Sequence, residues 1–255
     1  MHYAEYPPPP ALAGVVRCFW HLRGEAAHDG GEADPALPDG SPELILNFGD
    51  PFEHLVEGRR PRRQPAAFLV GQITAPMRVR PTGTTHLIAV RFEAHGAAML
   101  HRPMHALTDG WVAAPEVAPG LVRTMEALGD RPSAERAIGA IGAELGRIRE
   151  SAQGADERIA RAVQAIRAQH GATSPEELAR EAGLTLRSLQ RRFADEVGVS
   201  PKLLARIIRF QRVFVALRDE PASWARIAVA CGYYDQPHLV RDFRDFAGEA
   251  PARLL

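Results

Sequence analysis

Cysteine is scarce in this 255-residue chain, which contains only Cys18 and Cys231. Two cysteines so far apart supply neither a disulfide framework nor the paired spacing of a structural zinc site. No apolar run approaches the roughly 18 residues of a membrane-spanning helix, and residues 1–7 lack the basic and apolar regions of a signal peptide. These absences predict a cytoplasmic protein that is not secreted and does not engage a membrane.

Catalytic signatures are missing as well. The chain has no Gly-x-Ser-x-Gly motif, no phosphate-binding loop and no Gly-x-Gly-x-x-Gly fingerprint. Its clustered histidines are His95, His101 and His105, and Pro103 interrupts the helix that would place the last two on one face. We therefore expect no enzyme activity, no metal site and no cofactor.

A net charge is also lacking, because 31 basic residues balance 31 acidic ones. The balance is uneven along the chain: residues 1–154 carry 15 basic and 18 acidic side chains, whereas residues 155–255 carry 16 and 13. The hydrophobic content of 45% is sufficient for two domains with real cores. The weakly positive C-terminal part suits an anionic partner that is bound by placed contacts more than by bulk attraction.

What the chain does contain is an internal duplication near its C-terminus. The two copies read Ala179-x3-Gly183-x5-Leu189-x3-Phe193-x4-Gly198-x2-Pro201 and Ala228-x3-Gly232-x6-Leu239-x3-Phe243-x4-Gly248-x2-Pro251. In each copy a glycine marks a turn, and the Leu and Phe four residues apart share one helix face. Thr185 and Asp235 are good N-caps for the second helix of each copy. The duplication predicts two helix-turn-helix units.

The outward face of each second helix carries side chains suited to base edges. With Leu189 and Phe193 directed inward, helical spacing exposes the polar residues of the first copy. The same spacing in the second copy also exposes Val240, with Asp242 and Asp245 beside that face. Because Arg and Gln read guanine and adenine, we expect double-stranded DNA as the partner. The predicted DNA contacts are Arg187, Gln190, Arg191, Gln236, His238 and Arg241.

The segment between the two copies predicts one continuous helix. Residues 202–218 contain neither Gly nor Pro, and such a helix spans roughly 26 Å. With the width of the packed units, this length suits two recognition helices about one DNA turn, roughly 34 Å, apart.

Several of these segments resemble the DNA-binding domain of AraC/XylS-type transcription regulators. They are Gly183–Phe193, Val197–Lys202, Arg209–Arg212 and Gly232–Phe243, within about the last 100 residues. The resemblance implies two helix-turn-helix units that read successive major-groove segments in a one-component, effector-responsive regulator. It further implies RNA polymerase, a small-molecule effector and a second copy of the chain as partners. Because Pro237 and Val240 replace frequent polar base readers, the alternative is a protein-interaction adaptor that uses a degenerate helix-turn-helix domain.

The first 112 residues predict a mostly-β architecture. The predicted strands are Val15–Arg23, Glu43–Phe48, His54–Glu57, Ala67–Gly71, Met77–Arg80 and His86–Phe92, with a hairpin-like start between the first two. Val16-x3-Trp20, Leu37-Pro-Asp-Gly40 and Val90-Arg-Phe92 resemble the amino-terminal domains of a subset of the same family, which implies a barrel-like sensing or scaffold domain. Its expected inward residues, which either fill the barrel or line a ligand pocket, are Phe19, Leu44, Leu46, Phe48, Val90 and Phe92.

A helical connector completes the predicted α+β two-domain fold. We expect helices at Leu121–Leu128 and Ala134–Ile148 and a linker at Ser151–Ala155. The apolar stripe of the second helix packs on the barrel or forms a dimer seam, and packing within the chain is the expectation. The predicted boundaries are 1–112 for the β-rich domain, 113–155 for the connector and linker, and 156–255 for the AraC-type DNA-binding domain.

Overall fold

The N-terminal part of the chain is built from strands. A computed structural model describes residues 1–25, 33–56, 58, 60–152, 156–219 and 223–254. Val, Ile, Phe and Trp dominate the longer strands, as expected for β structure. The strands are β1 His2–Tyr6, β2 Val16–Gly24, β3 Asp34–Ala36, β4 Glu43–Asn47, β5 Phe52–Leu55, β6 Arg62–Arg63, β7 Ala67–Val70, β8 Met77–Pro81, β9 Thr85–Phe92 and β10 Trp111–Ala113. Residue 57 of the predicted strand His54–Glu57 and residues 153–155 of the predicted linker Ser151–Ala155 lie outside the described residues.

These strands form two antiparallel sheets. The larger sheet has the order β1-β2-β9-β4-β7-β10, and the smaller has the order β3-β8-β5-β6. Within the described residues neither sheet closes on itself, which corrects the barrel-like expectation to two stacked open sheets. The hairpin-like start was also wrong, because β2 pairs with β1 and β9, whereas β4 pairs with β9 and β7. Alternation identifies a strand but does not select its neighbour.

The two faces of the larger sheet support two different cores. Trp20, Ile45 and Phe68 point toward the smaller sheet and pack with its Phe52. The opposite face packs against helices, and it holds five of the six residues that were expected to face a barrel interior, with Phe48 packed at its margin. They are Phe19, Leu44, Leu46, Val90 and Phe92, and each has zero exposure. The expectation correctly placed these side chains together on one face of the sheet. It was wrong about what covers that face, which is the helices and not the smaller sheet.

The helical layer over this face consists of α1 Ala114–Val117, α2 Pro119–Leu128 and α3 Ala134–Ser151. Ser133 caps α3, since its side chain accepts a hydrogen bond from the backbone of Arg136. Ile141 and Leu145 of the α3 stripe are fully buried in the sheet–helix core. The stripe therefore packs within the chain, as expected.

The C-terminal part is entirely helical in its described residues. Its helices are α4 Glu157–Ala168, α5 Pro175–Glu181, α6 Leu186–Glu196, α7 Pro201–Asp219, α8 Trp224–Ala230, α9 Gln236–Ala247 and α10 Pro251–Leu254. One core joins α4, α5, α6 and the start of α7, and the next joins α7, α8 and α9. The long helix α7 supplies Leu204 to the first core and Phe210 to the second. Among the described residues, no helix is long and apolar enough to cross a membrane.

Candidate nucleic-acid interface

Helix α6 is the second helix of the first helix-turn-helix unit. It begins after Thr185, whose side chain accepts a hydrogen bond from the backbone N of Ser188 at 3.1 Å. Leu189 and Phe193 have no exposure, because they pack against Val163 and its neighbours on α4. This cap and this buried face determine which side of α6 is left for a partner.

The outward side of α6 presents three polar side chains to solvent. Arg187, Gln190 and Arg191 are exposed. Within the described part of the chain, none of the three takes part in a side-chain hydrogen bond or an ion pair, so their donors are available to a ligand. The next residue differs: Arg192 is half-buried, and its Nη1 donates to Asp156 Oδ2 at 2.5 Å. Of these two neighbouring arginines, Arg191 is therefore directed outward, whereas Arg192 makes a contact within the protein.

Helix α9 occupies the corresponding place in the second unit. Asp235 caps it by accepting a hydrogen bond from the backbone N of His238 at 2.8 Å. Gln236 and Arg241 are exposed, as expected. The ring of His238 is half-buried and lies edge-on to Tyr233, with ring centroids 5.2 Å apart. The outward face of α9 therefore has fewer exposed polar candidates than that of α6.

Two expectations for the second face are corrected. Val240 is half-buried against the second helical core and does not project outward. Asp242 is 1% exposed, and its Oδ1 accepts from Arg206 Nε at 3.0 Å and from Nη2 at 2.7 Å. Of the two acidic groups expected beside this face, Asp245 is the one that stays half-exposed. The buried carboxylate of Asp242 is paired with the guanidinium of Arg206 on α7, so it does not repel the phosphates of a DNA partner.

One outward residue was missed from the sequence. Tyr234, directly before the Asp235 cap, is 91% exposed, whereas Tyr233 beside it is 4% exposed. Two adjacent aromatic residues at a turn suggest a core contact. Because neighbouring side chains point in different directions, the pair itself was the signal that only one of them faces inward. An exposed phenol at the start of a recognition helix is a side-chain donor of the kind that contacts phosphate.

The histidines considered as metal ligands differ in exposure. His95 is buried, whereas His105 is exposed and lies 3.7 Å from Asp195 of α6. Across the described ranges, no group of three or more His, Cys, Asp and Glu side chains is arranged to hold a metal ion.

Comparison with family models identifies this helical part. A model described as a helix-turn-helix domain matches residues 178–255, which include α6 and α9. The C-terminal region is a helix-turn-helix domain of the AraC type. Carrying an AraC-type domain, the chain is a DNA-binding transcription regulator. A second model, described as a domain of unknown function (DUF6597), matches residues 4–113, the strand-rich part that precedes the AraC-type domain.

Three solved structures are similar to this chain to different degrees. ToxT from Vibrio cholerae O395, bound to (E)-4-(8-methylnaphthalen-1-yl)but-3-enoic acid, is 8% identical with a TM-score of 0.51 over 92% of this chain and 97% of that chain. Another ToxT structure from the same strain is 9% identical over 92% and 96%, with a TM-score of 0.47. The AraC-like transcriptional activator CuxR is 15% identical over 79% and 74%, with a TM-score of 0.28. The first likeness shows the fold alone, and the other two are too weak for an argument. A search of curated proteins found no match.

Proposed function

We propose that the AraC-type domain reads DNA sequence, with α6 as the principal recognition helix. The observation that carries the proposal is the contrast on α6: Arg187, Gln190 and Arg191 are exposed without a protein partner among the described residues, whereas Arg192 is engaged by Asp156. Arg donates bidentately to guanine, and Gln pairs with adenine. Three such side chains on one capped helix suit direct readout in a major groove.

Helix α9 has a smaller role in this proposal. Gln236 and Arg241 are its exposed candidates for base contacts, and His238 reaches the same groove from a half-buried position. The hydroxyl of Tyr234 contacts phosphate at the start of the helix. Because Val240 packs inward and His238 is half-buried, α9 offers two exposed candidates to the second half-site, whereas α6 offers three to the first.

Selection from a DNA library tests this function. The full-length protein is mixed with random double-stranded fragments at moderate salt, and the retained fragments are sequenced. We expect enrichment of two short motifs at a constant separation, the stronger one belonging to α6, with binding that weakens as salt rises. Retention without any enriched sequence contradicts sequence-specific reading. Absence of DNA binding favours the alternative function, a protein-interaction adaptor. The exposed Tyr234 is then the first residue to test for contact with a protein partner.

We further propose that the regulator is one-component and responds to a small molecule in the groove between its two parts. This cavity of about 760 Å³ is lined by Pro76, Met77 and Arg78 from the strand-rich part, by Ala247 at the end of α9 and by Glu249 just beyond it. An occupant there touches both parts and so biases their arrangement. Arg78 suits a carboxylate, the group carried by the ligand of the ToxT structure.

A thermal-shift screen of carboxylic acids, including the naphthyl-butenoic acid named above, tests the groove. A ligand that raises the melting temperature of the wild type, but not of Arg78→Ala, supports this site. Equal shifts for both proteins place the ligand elsewhere.

The remaining assignments are proposals that accompany this function. We propose that the regulator acts in the cytoplasm, and that its divisions fall at 112/113 and 155/156. RNA polymerase and a second copy of the chain remain predicted partners.

A further inference from the structure

The two helix-turn-helix units are joined by α7, and a loop of the strand-rich part lies against the middle of that helix. We call residues 37–41 the positioning loop. At Gly40 the loop backbone comes so close to α7 that an added Cβ lies 3.0 Å from Leu204 Cδ1 and 3.4 Å from Ile208 Cδ1. Gln211, further along α7, donates its Nε2 hydrogen to the carbonyl oxygen of Pro38 at 2.6 Å.

The loop meets α7 where the two units join. Leu204 and Ile208 belong to the core of the first unit, whereas Ile207 and Phe210 belong to the core of the second. Leu37 packs on the core of the second unit. The positioning loop therefore contacts both units at their shared helix, and a shift in either core changes its packing.

The positioning loop is also held by polar contacts with two other elements. Asp39 accepts a hydrogen bond from the backbone N of Ser41 at 2.9 Å and lies 3.4 Å from Arg91 Nε of β9. On the other side, Arg167 Nη2 of α4 donates to Gly40 O at 3.3 Å and to Ser41 Oγ at 3.2 Å. Strand β9 of the larger sheet and helix α4 of the first helical unit thus both hold the loop.

Two further contacts bring the strand-rich part to the end of each recognition helix. Thr108 Oγ1 donates to the carbonyl oxygen of Gly198, just after α6, at 2.6 Å. Beyond α9, a Cβ added to Gly248 lies 3.6 Å from Pro76 Cγ, an ordinary contact distance. Both Thr108 and Pro76 belong to the same strand-rich part, so one body touches both reading units as well as the helix between them.

We infer that the positioning loop sets the separation and angle of the two recognition helices, so that the strand-rich part determines which half-site spacing is bound. This inference rests on the proposed function. A helix shared by two separate cores can bend between them, and each bend changes where α9 meets the duplex. The loop restricts that bending, and restriction excludes operators of the wrong spacing. Leu37, Gly40 and Gln211 are positioning residues that touch no base.

The test compares two glycine substitutions in the full chain. Gly40→Ala adds a methyl group against Leu204 at a residue whose φ is +74°. Gly129→Ala is the matched control, because Gly129 has the same φ of +74° and no atom within 4 Å of the added Cβ. Both changes place an L side chain at a positive φ, and only the first also brings a methyl group against α7.

The probes are the fragments selected by the wild-type protein, with the spacer lengthened or shortened by a single base pair. We expect the wild type and Gly129→Ala to prefer the selected spacing by about tenfold or more. Gly40→Ala should lose most of that preference while its affinity for a fragment carrying one half-site is unchanged. If Gly40→Ala is folded by circular dichroism and keeps the wild-type spacing preference, the inference is wrong.

A second variant covers the case in which Gly40→Ala does not fold. Gln211→Leu removes the hydrogen bond to Pro38 O without adding backbone strain, and it should lower the spacing preference in the same direction. An unchanged preference in a folded Gln211→Leu protein overturns the inference. If the wild type selects a sequence but tolerates every spacing, the positioning role fails while the proposed function stands. If it selects no sequence, the proposed function itself fails.

Discussion

At the scale of single residues, Arg191 shows what an outward position on α6 implies. Its guanidinium is exposed and has no partner among the described residues, so replacement by alanine removes the proposed DNA contact with little effect on the fold. We expect Arg191→Ala to weaken binding to the selected fragment by about 1–3 kcal/mol and to relax the preference at one base pair. Arg123→Ala, on an exposed part of α2, is the control and should bind as the wild type does. An equal loss on random DNA identifies a phosphate contact instead.

His95 links stability to pH through its burial. The side chain is 2% exposed, and burial, assisted by the charges of Arg167 and Arg149, lowers its pKa to about 4. The folded protein therefore keeps His95 neutral below the pKa of 6.5 at which the unfolded chain takes up a proton. The resulting stability is present above pH 6.5 and is lost as the pH falls toward 4.

The His95→Gln protein should be less sensitive to acid for this reason. We expect its free energy of unfolding to fall by about 2 kcal/mol less than that of the wild type between pH 7 and pH 5. Urea titrations at the two pH values measure the difference. The other histidines are common to both proteins and cancel, so parallel losses contradict a neutral buried His95.

At the scale of elements, the packing of α9 on α7 depends on a buried ion pair. Arg206 of α7 binds both Asp242, which is 1% exposed, and Asp245, whose side chain is 49% exposed. We expect Asp242→Asn to lower the free energy of unfolding by about 3 kcal/mol, because a half-buried guanidinium then loses its main counter-charge. Asp245→Asn is the matched control and should cost less than about 1 kcal/mol. Equal losses in urea titrations contradict this division.

In the AraC-type domain, the starts of α6 and α9 and the extent of α7 were predictable almost to the residue, whereas the pairing within the sheets was not. Thr185 and Asp235 were identified as caps from the sequence and make the expected hydrogen bonds to residues three positions later. The six predicted strands were located within about two residues, but β1, β3, β6 and β10 were not predicted and the partner of β4 was wrong. A cap and a helical face involve residues within one or two turns, whereas strand pairing joins distant segments that alternation cannot distinguish.

At the scale of the whole molecule, the two parts share their cores. Ala94, just after β9, has no exposure and belongs to the core of the first helix-turn-helix unit. Leu37 packs on the core of the second. Unfolding of the strand-rich part therefore exposes apolar surface in both helical units, which couples their stabilities.

We expect the full chain to unfold in a single thermal transition. Scanning calorimetry should give a calorimetric enthalpy equal to the van't Hoff enthalpy, as for one cooperative unit. Two resolved transitions, one for each part, would contradict the coupling that Ala94 and Leu37 indicate.

The sequence by itself determined the duplicated helix-turn-helix units, their caps and the exposure of Arg187, Gln190 and Arg191, since each depends on neighbours along one helix. Only the tertiary structure decided that Val240 and Asp242 turn inward and that the positioning loop lies on α7. These outcomes depend on contacts such as that between Thr108 and Gly198, which are 90 residues apart. Local hydrogen bonds and periodicity leave a trace in residue spacing, whereas a contact between distant segments forms only when the chain packs.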